Sequence, residues 1–484
     1  MARTKKVAAA DKRKVADESS TNDAKKPKTT DSEATTQETS TGDAANNRVL
    51  TSLLQGMSID TFDAEYFEKK PLHLKKIKSC AGLFTRRLLL DVIAKESLRH
   101  SDDLTVTVYK DGSRQNFEPP EDDPLDGVAS SEQVGNLLST GYSVQFYQPQ
   151  RYQKKICDIN AALEAHYGCL AGASAYLTPP HAQALAPHHD DVDVFILQTQ
   201  GSKHWKLYAP LVQLAGEHSN DLDPSILSDP TMEITLEEGD MLYFPRGVVH
   251  QASTSDTFST HVTISIYHHN SWANFMEVAL PQVLRRAFEH DVAFRKGLPP
   301  NYLGFMGSQF QTSQSPSAAA FTTHFKDLAA KMLDHITDTD LHLAADVAAL
   351  DFIKHRLPPT PHMIRKCHLK DNQSLRLRYK AHCRIVLQDD SVTLFHSVTN
   401  CRQHHMGQCT CDEDDDEDEE EDDELPPAAA AISFPLGCAP VLLHLYAAGD
   451  TTIADMIAAN VADEDSVRAV IFRLIAEDMV ERSK

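Results

Sequence analysis

The chain is 484 residues long, with 41% hydrophobic and 24% charged residues, room for about three domains of ordinary size. No run approaches the roughly 18 apolar residues of a membrane span, no hydrophobic signal segment opens the chain, and nine scattered cysteines argue against a disulfide framework. The formal charge of −23 reads as hostile to nucleic acid, but more than half of it lies in one unbroken run of thirteen acidic residues, Asp412 to Glu424.

Residues 1–47 are polar and poor in large apolar side chains. They cannot bury enough surface to fold, so a disordered tail is expected. Within it, Lys12-Arg13-Lys14 and Lys25-Lys26-Pro27-Lys28 stand ten residues apart, the form of a bipartite nuclear import signal. From Val49 to about Ser97, helical patterns alternate with the Lys69–Leu74 (KKPLHL) strand. Leu104–Tyr109 and Tyr142–Tyr147 read as strands, and Ile156–Tyr167 as a helix from the spacing of Ile156, Ile159, Leu163 and His166.

The chemistry lies in the next hundred residues. Pro187 to Tyr208 reads PHHDDVDVFILQTQGSKHWKLY, and Phe244 to Ala252 reads FPRGVVHQA. Val192–Leu197 is β-branched and aromatic, so the HHDD before it is read on or beside a strand, where residues two apart share a face. His188 and Asp190 then grip one ion from one side, and His189 with Asp191 do so from the other; alternation does not choose. A turn at Glu238-Gly239-Asp240, a strand at Met241–Phe244 and a second turn at Pro245-Arg246-Gly247 lead to His250. A jelly-roll barrel brings a third ligand across its mouth in this way. Two imidazoles and one carboxylate with open positions suit a mononuclear non-haem iron(II) oxygenase.

Glu65–Leu74 (EYFEKKPLHL), Tyr176–Pro180 (YLTPP), the HHDD, VFILQ and GSKHWKLY pieces, FPRGVVHQA, and Thr260–Tyr267 (THVTISIY) followed by NSW together resemble the Jumonji C ribosomal oxygenases. These are 2-oxoglutarate-dependent histidyl hydroxylases of the nucleolus, also reported as histone lysine demethylases and so as chromatin regulators. The resemblance implies an α+β fold: a double-stranded β-helix, cupin-like Jumonji C barrel over residues 48–271. It implies Fe(II) on His188, Asp190 and His250, and 2-oxoglutarate with its far carboxylate on Lys203. A fixed cation there is what a dianion in an apolar barrel requires. It further places Ser265 beside the co-substrate and Tyr176 in the substrate site. Ser174 stands where the family usually has asparagine near the co-substrate, and a hydroxyl makes fewer hydrogen bonds than an amide.

After Trp272 the pattern turns helical, with Phe275–Phe288, Phe325–Ile336 and Leu341–Leu350; residues 272–350 resemble the family's dimerisation region, implying a homodimer. Residues 351–484 read as a winged helix. Its strands are Leu375–Tyr379, Cys383–Leu387 and Val392–His396; its helices are Val441–Ala448, Ile453–Ala459 and Ser466–Asp478, with Thr451 and Asp465 as caps. Asp463, Glu464, Asp465, Glu477, Asp478 and Glu481 make its last helices too acidic to hug phosphate, so direct DNA binding is not expected. Cys401, His404, His405, Cys409 and Cys411 match no standard zinc spacing. Residues 401–430 are therefore read as a flexible acidic insertion. The expected partners are a ribosomal protein as substrate and histone tails as the alternative, in the nucleus and its nucleolus, with no membrane. Three functions stay open: histidyl hydroxylase, lysine demethylase by the same chemistry, and an inactive nuclear scaffold, which the intact His188, Asp190, His250 and Lys203 disfavour.

Overall fold

The computed structural model describes residues 41–483 apart from 111–112, 121–122, 124, 184, 268–269, 313–314, 361–365, 404 and 406–428. The basic clusters of the tail, Cys409, Cys411 and the acidic run lie outside the described residues.

Among the described residues, eleven strands form the barrel region. They are β1 (Leu72–Leu74), β2 (Leu104–Lys110), β3 (Ser113–Asn116), β4 (Ser143–Tyr147), β5 (Ala171–Thr178), β6 (Val192–Gly201), β7 (Lys203–Leu207), β8 (Met232–Leu236), β9 (Met241–Phe244), β10 (His250–Ser253) and β11 (Ser259–Tyr267). Eight of them make one sheet in the order β1-β9-β6-β11-β5-β4-β2-β3, and β10-β7-β8 make a second. Every named pairing in both sheets is antiparallel.

The partial alternation of β6 has a physical cause: both faces of the large sheet are covered. Val194 and Ile196 point inward to a core shared with Trp205, Leu207, Leu236, Leu242 and Phe244. Phe195 and Leu197 point outward to the main core, with Phe62, Phe84, Leu89 and Leu163. The outer cover consists of α1 (Thr41–Leu53), α2 (Ile59–Glu65), α3 (Arg86–Ile93), α4 (Ser131–Ser139) and α5 (Lys154–Tyr167). Hydroxyl caps at Ser58, Thr85 and Ser130 accept the amide hydrogens that start α2, α3 and α4. The first helix straddles the expected tail boundary at residue 47, because Leu50 and Leu53 are buried in the main core and carry the turn before them.

Beyond the barrel run α6 (Trp272–His290), α7 (Val292–Arg295), α8 (Pro316–Met332) and α9 (Asp338–His355). Helix α6 begins at Trp272, where Ser271 and Asn274 close a reciprocal capping box. The expected helix at 325–336 starts nine residues earlier, at Pro316, which fits the first turn of a helix. The expected boundary at 350 falls inside α9, whose Ile353 is buried. No helix among the described residues is long and apolar enough to cross a membrane.

The C-terminal region has its own core, built on Val392, Leu394, Leu442, Leu445, Val470 and Leu474. Strands β13 (Cys383–Leu387), β14 (Ser391–His396) and β15 (Ala430–Pro435) form one sheet, and β12 (Leu375–Leu377) pairs with β16 (Val480–Arg482). Helices α10 (Ala439–Ala448), α11 (Ile453–Ala458) and α12 (Glu464–Ala476) complete it. The caps are Thr452 and Asp463, not Thr451 and Asp465. Thr451 is instead held by two backbone hydrogen bonds to Leu375, and Asp465 lies in the first turn of α12.

Within the stretch read as flexible from residue 401 onward, His405 is an exception. That imidazole is fully buried, its Nε2 donating to Glu164 Oε1 at 2.6 Å while its Nδ1 accepts from Gln150 at 3.0 Å. Glu164 on α5 is also fully buried and takes the Leu357 amide at 3.0 Å. A carboxylate so far from water requires such partners. His405 is therefore engaged in joining the C-terminal region to the barrel's helical cover.

Candidate metal and co-substrate site

His188 and Asp190 do not lie in a regular strand; they precede β6, in an extended stretch tied to the start of β10. The tie is a two-bond antiparallel bridge, with His188 N–H to the His250 carbonyl at 3.2 Å and the reverse bond at 2.8 Å. This bridge resolves the ambiguity of the HHDD motif. His188 Nε2 comes within 3.8 Å of Asp190 Oδ1, and His250 Nε2 within 3.7 Å of Oδ2. The three ligand atoms all lie within 4.8 Å of one another. His189 faces elsewhere, its backbone bonded in both directions to Ser219.

The imidazoles are set to ligate. His188 Nδ1 donates to the Ala186 carbonyl at 2.8 Å, and His250 Nδ1 to the Val248 carbonyl at 3.1 Å. Those bonds fix the tautomer that presents a bare Nε2, the arrangement expected of metal-binding histidines. Burial, with His188 alongside, holds the His250 imidazole well below its usual range, so it is neutral at ordinary pH. The donor set and spacing fit one divalent ion with a free side toward the pocket.

Lys203 opens β7 and is 4% exposed. Its ammonium donates to Thr178 Oγ1 at 3.0 Å and has no carboxylate partner among the described residues. Burial pushes it down to about 7. Two further buried nitrogens in the same pocket, Trp205 Nε1 and His261 Nδ1, have no hydrogen-bond partner among the described residues. An unpaired buried cation beside two orphaned ring nitrogens is costly unless something anionic joins them. A carboxylate of a small dianion fits that need.

The pocket that holds these groups is lined by Tyr176, His188, Asp190, Lys203, His250 and His261, with Val194, Ile196, Trp205 and Thr263. The Tyr176 ring stacks on His261, with centroids 4.9 Å apart and planes within 6°, and its hydroxyl accepts from Gln145 at 3.0 Å. Ser174 and Ser265 are half-buried on β5 and β11. Ser174 pairs with Thr263 of the pocket wall, and Ser265 with Gly172 and Val194, but neither serine lines the pocket. Sequence reasoning missed His261, Trp205 and Thr178. Their signal was present: His261 alternates with Thr263 and Ser265 on β11, Trp205 is two residues from Lys203, and Thr178 is two from Tyr176.

The JmjC domain family matches residues 145–275. Ribosomal oxygenase 1 of Danio rerio is 31% identical over 385 residues, covering 74% of this chain and 69% of that one. The bifunctional lysine-specific demethylase and histidyl-hydroxylase NO66 of Drosophila grimshawi is 34% identical over 372 residues, 76% of this chain and 47% of that one. Human ribosomal oxygenase 1 is 34% identical over 318 residues, 64% of this chain and 48% of that one; the chain thus spans about half the length of these last two relatives. A structure of YcfD, a ribosomal oxygenase from Escherichia coli, in complex with cobalt and 2-oxoglutarate, aligns over 88% of this chain and 99% of that one. Its TM-score is 0.41 at 15% identity, too weak a likeness to add to the assignment. On its sequence relatives and its barrel, the chain belongs to the JmjC ribosomal oxygenases, dioxygenases dependent on iron(II) and 2-oxoglutarate.

Proposed function

We propose that this enzyme hydroxylates a histidine side chain of a ribosomal protein at the β-carbon. One observation carries the reading: His188, Asp190 and His250 converge beside the buried, unpaired Lys203 in a single pocket. Relatives sharing about a third of its residues bear the names ribosomal oxygenase and histidyl-hydroxylase. A bound iron(II) supplies, with 2-oxoglutarate and dioxygen, the oxidising power to insert one oxygen atom into a C–H bond, the co-substrate leaving as succinate and carbon dioxide.

The chain's own residues do the rest. His188, Asp190 and His250 hold the metal on one side and leave the pocket side open. Lys203 anchors the far carboxylate of 2-oxoglutarate, with His261 and Trp205 beside it. Tyr176, fixed by Gln145 and His261, lines the approach of the substrate side chain. The apolar wall of Val194, Ile196 and Trp205 excludes water.

The test is mass spectrometry of ribosomal proteins incubated with enzyme, iron(II) and 2-oxoglutarate, with succinate quantified alongside. The expected product gains one oxygen on a histidine. Formaldehyde from methylated histone peptides, with no ribosomal histidine modified, would establish the demethylase reading instead. Because electrostatic attraction to an acidic protein speeds encounter more than it selects the reacting side chain, raised salt should slow peptide capture without moving the modified residue.

The tail carries a nuclear address in this reading, and the helices of 272–350 pair two copies. Their exposed apolar side chains support this pairing, among them Met276, Leu284, Phe288, Phe325 and Val347. The C-terminal region serves as a winged-helix protein-contact element. Deleting residues 1–40 should leave a folded enzyme that no longer accumulates in the nucleus. Light scattering should report a dimer with or without the tail; a monomer at micromolar concentration would remove the pairing without touching the chemistry.

A further inference from the structure

The loop from Pro245 to Val249, between β9 and β10, sets where His250 stands. Arg246 in that loop is largely buried, its side chain 9% exposed. Its Nη1 donates to Asp193 Oδ2 at 3.0 Å and also to Glu68 Oε1. Asp193 is fully buried at the start of β6, three residues after Asp190. Its other oxygen, Oδ1, accepts from the Tyr243 hydroxyl at 2.7 Å, and that hydroxyl accepts the Glu68 amide hydrogen at 2.9 Å. Glu68 has left-handed backbone, φ +56°, uncommon for a residue with a side chain and held here by its surroundings. The next residue of the loop ties back as well, since Gly247 N–H donates to the Asp190 carbonyl at 2.9 Å. Gly247 cannot change: its φ is +82°, and a Cβ there would lie 2.3 Å from the Val212 carbonyl oxygen.

These bonds join three segments distant in sequence: the EYFEKKPLHL stretch, the root of the strand that follows Asp190, and the approach to His250. We propose that Arg246 is a positioning residue for the metal centre, fixing the separation of Asp190 and His250 through Asp193, Tyr243 and Glu68. It touches neither metal nor co-substrate. The proposal rests on the metal-site reading above. It also gives the Glu65–Leu74 motif a part in this catalytic domain: Glu68 accepts from the same guanidinium nitrogen as Asp193. Both carboxylates are served by one guanidinium nitrogen, held in place by a planar, largely buried group; a lysine ammonium on a flexible stem lacks that fixed direction.

The sign of one measurement separates this role from plain electrostatics. Arg246 is a cation near a cation site, so removing its charge alone should tighten metal binding. Removing a positioning residue should weaken it, and loss of the groups that orient metal ligands typically lowers affinity by roughly 10–100-fold. The experiment is calorimetric titration of cobalt(II) into the full chain without co-substrate, for wild type, Arg246→Met, Arg246→Lys and Tyr243→Phe, with melting temperatures taken in parallel. Arg246→Met should bind cobalt(II) roughly 10–100-fold more weakly, and Arg246→Lys should recover part of the loss. Tyr243→Phe changes no charge and keeps the ring in the core, so it should fold even if Arg246→Met does not. It should show a smaller, measurable loss of affinity. With peptide substrate, the variants should lose kcat and keep KM.

Unchanged or tighter cobalt binding in Arg246→Met, or wild-type affinity in Tyr243→Phe, with only the melting temperature lowered, would reduce the network to fold stabilisation and overturn the proposal. Failure of the metal-site reading looks different: the wild type itself would not bind cobalt, or Asp190→Ala would bind it equally well.

Discussion

Asp190→Ala and His188→Ala abolish turnover, while Asp191→Ala and His189→Ala retain it. This result is expected because the His188–His250 bridge turns the first pair, not the second, toward the third ligand. With one of three protein ligands gone, the remaining two do not define a face on which co-substrate and dioxygen can share the open positions. Folding should survive both changes: the His188 bridge is made by backbone groups, and the Asp190 side chain is 34% exposed. His189→Ala empties a buried position, since the residue is 7% exposed, so it should lower the melting temperature by a few degrees, as about 1 kcal/mol does in a chain of this kind, yet leave activity. Succinate release and thermal melting of the four variants check this directly. Loss of activity confined to the His189 and Asp191 variants would invert the assignment.

Lys203→Ala raises the 2-oxoglutarate requirement sharply. Truncating one partner of a buried, hydrogen-bonded charge pair costs about 2–5 kcal/mol, or roughly 30- to several thousand-fold in affinity at about 1.4 kcal/mol per tenfold. The pH dependence follows from the same burial, which holds the free ammonium down to about 7 against an ordinary 10.5. Below about 7 the group is already charged and receives the carboxylate directly. Above it, binding must first take up a proton, so 2-oxoglutarate affinity should fall with rising pH, by at most about tenfold per unit. Stability without co-substrate moves the other way. Between about 7 and 10.5 the folded state binds fewer protons at this site than the unfolded chain, so the group makes the protein more stable as pH rises. Both pH trends should vanish in Lys203→Ala. Wild-type co-substrate dependence in that variant would remove the lysine from its role.

The ligands were legible because their spacing is local. Only His189 separates His188 from Asp190, and the short β9 and its turns frame His250. The choice of face was not, since it depends on a bridge between residues 62 positions apart. The same holds for His261 and Thr178, whose neighbours in the pocket come from other strands. Helix α5 could be read from the spacing of Ile156, Ile159 and Leu163. The weak spots were ends and short pieces: β16 has three residues, the cap of α11 shifts by one residue where Thr451 is taken up by Leu375, and that of α12 by two. His405 was read as loop because nothing near it in sequence predicts Glu164, 241 residues away and also buried. Arg246 looked like part of a polar turn for the same reason. Its two carboxylates, on Glu68 and Asp193, are supplied only by the fold.

The most direct test of the site is the visible absorption spectrum of the iron(II)-loaded protein titrated anaerobically with 2-oxoglutarate. A keto acid chelated to iron(II) absorbs where neither component does alone. Such a band should grow to saturation in the wild type, be absent in His188→Ala, and in Lys203→Ala appear only at far higher 2-oxoglutarate. No band in the wild type, or a band that survives His188→Ala and disappears in His189→Ala, would contradict the metal-site assignment.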